Sequence, residues 1–131
     1  MSRSKILLVD DDPDILETTK VALERADYEV LTATNGLEAL GSVRISRPDL
    51  ILLDVMLPGE NGYRVARTIR EDEDAGVYDR RNRIILVTAR DLSNDLEREE
   101  LFGDFARPDR VVYKPFELED LLQQIEELLS E

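Results

Sequence analysis

Asp54 closes a run of four apolar residues, Leu50 to Leu53. Val55, Met56 and Leu57 follow it, then Pro58, Gly59 and Gly62. A short apolar run bounded by turn formers reads as a strand buried on both faces. Asp54 then stands where a buried strand breaks into a loop. An aspartate there is either a turn former or a nucleophile at the carboxyl edge of a parallel sheet, the edge at which open α/β sheets bind ligands. A second acidic group, Asp10 to Asp12 with Asp14, ends the strand candidate Lys5–Asp10. Asp12 and Asp14 have a structural explanation, since Asp12 suits the N-cap before Pro13 and acids favour a first helical turn. Asp10 and Asp11 precede that cap and need another reason. Thr88 ends the run RIILVT, and Lys114 follows Arg110–Tyr113 and precedes Pro115.

Brought to one sheet edge, these groups have a definite chemistry. Carboxylates about 4 Å apart repel by several kcal/mol per pair at a protein-like dielectric and call for a cation or a proton. The chain has no histidine and no cysteine, so only oxygen ligands are on offer. Such a set selects a hard ion, Mg²⁺ first. With the metal shielding an incoming phosphoryl group, Asp54 would attack in line as nucleophile. Lys114 would supply matching positive charge, and the Thr88 hydroxyl would donate to a phosphoryl oxygen.

The elements that must position these residues follow from the apolar pattern. Strand candidates are Lys5–Asp10, Tyr28–Thr34, the run ending at Asp54, Arg83–Thr88 and Arg110–Tyr113. Between them lie a helix from Pro13 striped with Ile15, Leu16, Thr19, Leu23 and Ala26, and a helix from the Asn35-Gly36 turn to about Arg47. Asn61 caps a third helix with Tyr63, Val65, Ala66 and Ile69 as its apolar face. Asp91–Phe102 is helical in propensity but very polar, and Gly103–Asp109 is expected to break it. The amphipathic helix Glu117–Leu129 closes the order. Glu71–Asn82 reads as a solvated charged loop. Five alternations imply an α/β fold: a five-stranded parallel sheet, doubly wound as (βα)5 in the flavodoxin-like order 2-1-3-4-5. Its switch point lies between strands 1 and 3, which end at Asp10-Asp11 and Asp54.

Whole-chain properties narrow the function. The 131 residues fit a single domain, 1–131. Thirty acidic against 17 basic residues give a formal charge of −13, which disfavours nucleic-acid binding through phosphate contacts. No apolar run approaches a membrane span or a secretory signal, so a soluble cytoplasmic protein is expected. The first strand-to-helix turn carries neither dinucleotide-binding nor P-loop glycines.

The acidic pair Asp10-Asp11 after KILLV, Asp54 in LLDVMLPGENG, Thr88-Ala89 after IILV, and Lys114-Pro115-Phe116 together resemble the receiver domain of bacterial two-component response regulators. The likeness covers Lys5 to Leu129. It implies Asp54 as phospho-acceptor, Asp11, Asp54 and the Met56 carbonyl as direct Mg²⁺ ligands, and Asp10 acting through bound water. Thr88 and Lys114 would contact the phosphoryl group, and Lys114–Pro115 would be cis. It further implies a sensor histidine kinase or phosphotransfer protein as donor, a downstream protein target, and self-catalysed transfer and dephosphorylation rather than conventional enzyme turnover. A monomer or weak dimer signalling through Asp91–Phe102, Arg110–Tyr113 and the last helix is expected. Two departures fall on that signalling face: Val111 stands where the family has an aromatic residue, and FARPDR at 105–110 replaces a Gly-Ala turn. Two alternatives stand beside this one. Asp10-x-Asp12 also resembles the nucleophile and acid/base pair of haloacid-dehalogenase-type phosphatases. A phosphorylation-independent interaction module is the other.

Overall fold

The computed structural model describes residues 3–89 and 101–131. Five parallel strands, β1 (Lys5–Val9), β2 (Glu29–Ala33), β3 (Leu50–Asp54), β4 (Ile84–Ala89) and β5 (Arg110–Lys114), form one sheet in the order 2-1-3-4-5. The helices are α1 (Pro13–Arg25), α2 (Gly36–Ser46), α3 (Gly62–Asp74) and α4 (Leu118–Leu129). The expected fold is the observed one. Parallel strands need crossover helices, and these cover both faces of the sheet.

Strand alternation divides the core into two layers. Leu7, Val9, Ile51, Leu53, Ile84 and Leu86 face α2 and α3 through Ala39, Val43, Val65, Ala66 and Ile69. Ile6, Leu8, Leu50, Leu52, Ile85 and Val112 face α1 and α4 through Leu23, Leu121, Ile125 and Leu128. All five residues of β3 are buried, as its uninterrupted apolar run requires of a central strand. The chain therefore cannot slip by one residue without moving core side chains to the wrong layer.

Local signals set the helix starts. Asp12 caps α1 by accepting from the backbone N–H groups of Asp14 (2.9 Å) and Ile15 (3.5 Å). Asn61 caps α3 by accepting from Arg64 N–H at 3.0 Å. Asn35 does more than turn the chain: its side chain accepts from Glu38 N–H at 2.9 Å, and Gly36 is already helical.

Two expectations are corrected. Glu71–Asn82 is not a simple solvated loop. Helix α3 continues to Asp74, and Arg70, at 1 % exposure, anchors an ionic network beneath the turn. Its guanidinium donates to Glu73 (3.0 Å), Asp109 Oδ2 (3.1 Å) and the carbonyls of Asn82 (2.6 Å) and Arg107 (3.0 Å). Asp109 also accepts from Ile84 N–H at 2.7 Å and pairs with Arg81. The buried guanidinium is held because each of its three nitrogens has an acceptor and two carboxylates offset its charge. The second correction concerns Gly103–Asp109. Leu101–Ala106 is a π-helical segment that runs through Gly103, and the turn comes at Arg107, whose φ is 48°. Ala106 is fully buried in the α3 layer, and the Arg67 guanidinium lies 5.0 Å from the centre of the Phe105 ring. Packing on α3 thus holds the segment. The helix read at Asp91–Phe102 lies, for 91–100, outside the described residues. Lys114–Pro115 is cis, as the resemblance implies. No helix among the described residues is long and apolar enough to cross a membrane.

Candidate functional site

In a parallel sheet every strand delivers its carboxyl end to one edge. Strand β1 pairs with β3 in the register Val9 to Leu53, so the next residues, Asp10 and Asp54, arrive side by side. Strand β5 ends at Lys114, level with Ala89 of β4. Asp10, Asp11 and Asp54 each offer a carboxylate oxygen within 4.8 Å of the others. Asp10 and Asp54 are buried at 3 % exposure, while Asp11 is exposed. They line an open cleft of about 540 Å³ with Met56, Asn61 and Lys114.

Each buried oxygen has a partner. Asp54 Oδ1 accepts from Met56 N–H at 3.0 Å, and Asp54 Oδ2 accepts from Lys114 Nζ at 3.0 Å. Lys114 Nζ also donates to Asp10 Oδ2 at 3.3 Å. Asp10 Oδ1 accepts from Asp12 N–H at 2.9 Å. The lysine is thus shared between two carboxylates. Burial pushes the Asp54 carboxyl above its usual range, and the neighbouring Asp10 charge adds to this. The Met56 N–H and Lys114 oppose the shift but do not cancel it. Burial alone would lower the Lys114 ammonium, yet its hydrogen bond and charge attraction to Asp54, with Asp10 behind, hold it above the ordinary lysine value. A raised carboxyl beside a second acid is what a site short of positive charge looks like.

Of the sequence-predicted residues, Asp10, Asp11, Asp54, Met56 and Lys114 share the cleft. Thr88 is buried at the end of β4, one residue past the Asp54–Val87 pair, and its hydroxyl donates to the Ala89 carbonyl at 3.4 Å. It does not line the cleft in this structure. Asn61 is an addition. The sequence marked it as a cap, and that cap stands on the cleft wall because α3 begins at the sheet edge where β3 ends.

The family model of the response regulator receiver domain matches residues 6–126. The chain belongs to the response regulator receiver family. A relative is the DNA-binding response regulator MtrA of Mycolicibacterium smegmatis, 37 % identical over 123 residues, which covers 94 % of this chain and 49 % of the relative. The receiver spans about half the length of the curated relatives it matches. Among solved structures, a response regulator receiver domain protein from Methanospirillum hungatei superposes with a TM-score of 0.84. It is 30 % identical, with coverage of 98 % of this chain and 95 % of that one. The receiver domain of the Pseudomonas aeruginosa sensor histidine kinase PA1611, with a magnesium ion coordinated in its active-site cleft, is equally similar. Its TM-score is 0.84 at 30 % identity, covering 99 % and 100 % of the two chains. The function carried by the family is that of phosphorylation-activated receivers in two-component signalling. The phosphatase reading is not favoured, and here Asp12 spends its side chain capping α1.

Proposed function

We propose that residues 1–131 form one receiver domain in which Asp54 accepts a phosphoryl group from a phosphohistidine on a partner kinase or phosphotransfer protein. One observation carries this reading: a buried Asp54 at the end of β3, bonded to Lys114, with Asp10 and Asp11 converging on the same cleft. The donor set fits Mg²⁺, because three carboxylates within 4.8 Å carry more negative charge than one lysine offsets, and all available ligands are oxygens. Asp11, Asp54 and the Met56 carbonyl would hold the ion, with Asp10 acting through a bound water. When bound, Mg²⁺ supplies charge neutralisation for the incoming phosphoryl oxygens.

The chain's own residues do the rest. Met56 N–H and Lys114 fix the two oxygens of Asp54, so the carboxylate is aimed before the donor arrives. An Asp54 oxygen forms the new bond to phosphorus as the P–N bond breaks, and the electron pair leaves with the imidazole nitrogen. Lys114 then faces the transferred group, and the Thr88 hydroxyl turns from Ala89 toward it. Self-catalysed transfer and later hydrolysis of the acyl phosphate belong to this reading. A receiver of this family is not in general an enzyme in the ordinary sense. Output is by protein contact in the cytoplasm, the receiver acting as a monomer or weak dimer.

The test is incubation with Mg²⁺ and a small phosphodonor, read by intact mass. Wild type gains one phosphoryl group and Asp54→Asn gains none. Equal modification of Asp54→Asn, or modification mapped to Asp10, overturns the assignment.

A further inference from the structure

Helix α3 starts closer to the end of β3 than any side chain would allow. Gly62, its first residue, donates its N–H to the Val55 carbonyl at 2.8 Å. A Cβ at Gly62 would lie 2.3 Å from the Asp54 carbonyl oxygen, 2.8 Å from Val55 Cα and 2.9 Å from the Asp54 carbonyl carbon. All three are backbone atoms, so none can swing aside as a rotamer would. The glycine is required by this approach and not by its own dihedral angles, since it is an ordinary helical residue outside the positive-φ set.

We infer that Gly62 is a positioning residue for the Mg²⁺ site: its missing side chain lets α3 brace the Asp54–Val55 peptide, which sets Asp54 and Met56 relative to Asp10 and Asp11. This rests on the Mg²⁺ reading above. Asp54 and Met56 lie on either side of the braced Val55 and are tied by the 3.0 Å bond from Met56 N–H to Asp54 Oδ1. Asp10 and Asp11 come from the end of a different strand, β1. A methyl group on Gly62 must therefore move either α3 or the Asp54–Val55 peptide, and moving the peptide shifts one half of the ligand set against the other. Mg²⁺ demands near-ideal octahedral geometry at about 2.0–2.1 Å, so it tolerates such a shift poorly. Gly36 supplies the contrast. A Cβ there meets Val65 Cγ2 at 2.9 Å, the end of a side chain, and no ligand-bearing peptide.

The experiment measures Mg²⁺ affinity by titration calorimetry on the folded proteins, with urea stability followed in parallel. Gly62→Ala is expected to weaken Mg²⁺ binding by about 10-fold or more, the scale of lost support behind a metal ligand. Gly36→Ala is expected to lower stability while keeping the wild-type affinity. Folded Gly62→Ala with wild-type affinity, or equal losses in both variants, overturns the inference. If Gly62→Ala does not fold in dilute buffer, the titration is repeated on it and on wild type in an excluded osmolyte, which strengthens burial without touching the site, and wild-type affinity there overturns the inference too. Wild type that binds no Mg²⁺, or Asp11→Asn that binds as well as wild type, defeats instead the reading of the site itself.

Discussion

Lys114 Nζ sits 3.0 Å from Asp54 Oδ2, joining residues 60 positions apart through a half-buried ion pair. The same ammonium lies 3.3 Å from Asp10 Oδ2. One cation therefore bridges the ends of β1 and β3. In the metal-free protein this lysine is the main offset to two buried carboxylates.

Removing that offset has a clear sign. Lys114→Ala is expected to lower stability by about 1–3 kcal/mol, the cost of leaving charged partners without a hydrogen-bonded counter-ion. Added Mg²⁺ should recover much of this loss, because it binds only the folded protein and supplies the missing charge. Urea melts with and without Mg²⁺ check both halves. A variant as stable as wild type without metal would show that Asp10 and Asp54 do not depend on the lysine.

The raised Asp54 carboxyl gives a pH dependence. Its folded pKa lies above the unfolded value of about 3.8. The folded state thus binds the proton more tightly, and stability falls as pH rises from the unfolded value through the folded one. The penalty is complete once pH has passed the folded value. Asp54→Asn should therefore be more stable than wild type at pH 7 without Mg²⁺, with the advantage shrinking as pH falls into the carboxylate range. Lys114 acts the other way. Its raised pKa makes a contribution that is complete below about 10.5 and lost as pH rises through its folded value. Parallel urea titrations of wild type and Asp54→Asn across acid to neutral pH test the sign, and a wild type that gains on Asp54→Asn as pH rises contradicts it.

Most of the site was legible because strand ends fix it. KILLV and LILL are long enough to be strands and too apolar to be anything exposed. Asp10, Asp11, Asp54 and Lys114 are the first polar residues past such runs, and parallel pairing leaves them no other edge. The Arg70 network was not legible. The acidic run after Arg70 reads as a solvated loop, and Arg70 is held in the interior by Asn82, Arg107 and Asp109, 12 to 39 residues on. The Gly62 contact is likewise invisible in one dimension, since a glycine near Pro58 and Gly59 already has a turn to explain it. Thr88 shows a third limit: position along a strand gives the edge, but not the direction of a hydroxyl.

Asp11 is the exposed member of the acidic group, and the cap that accounts for Asp12 does not involve it. Asp11→Asn should weaken Mg²⁺ binding by about 10-fold or more, since a charged ligand becomes a neutral one while the buried pair stays in place. Its urea stability without metal should match or exceed that of wild type, as one carboxylate is removed from a repelling cluster. Calorimetric titration decides. Wild-type affinity would remove Asp11 from the ligand set.

At the other end of the strands, Arg70 links the last turn of α3 to the starts of β4 and β5. Arg70→Met keeps much of the buried volume and deletes the charge. Glu73 and Asp109, each 12 % exposed at the side chain, would lose their shared buried partner. Breaking one side of a buried ionic network costs about 3–5 kcal/mol, far more than a surface pair. Arg107, which pairs with Asp74 at 44 % and 68 % side-chain exposure, is the control, and Arg107→Met should cost under about 1 kcal/mol. Because the network lies at the edge of the sheet away from Asp54, Arg70→Met should keep its Mg²⁺ affinity while folded. Urea denaturation and Mg²⁺ titration on the same samples separate the two effects. A small stability loss in Arg70→Met would mean that water replaces the guanidinium, and a large loss of Mg²⁺ affinity would mean that the two edges of the sheet are coupled.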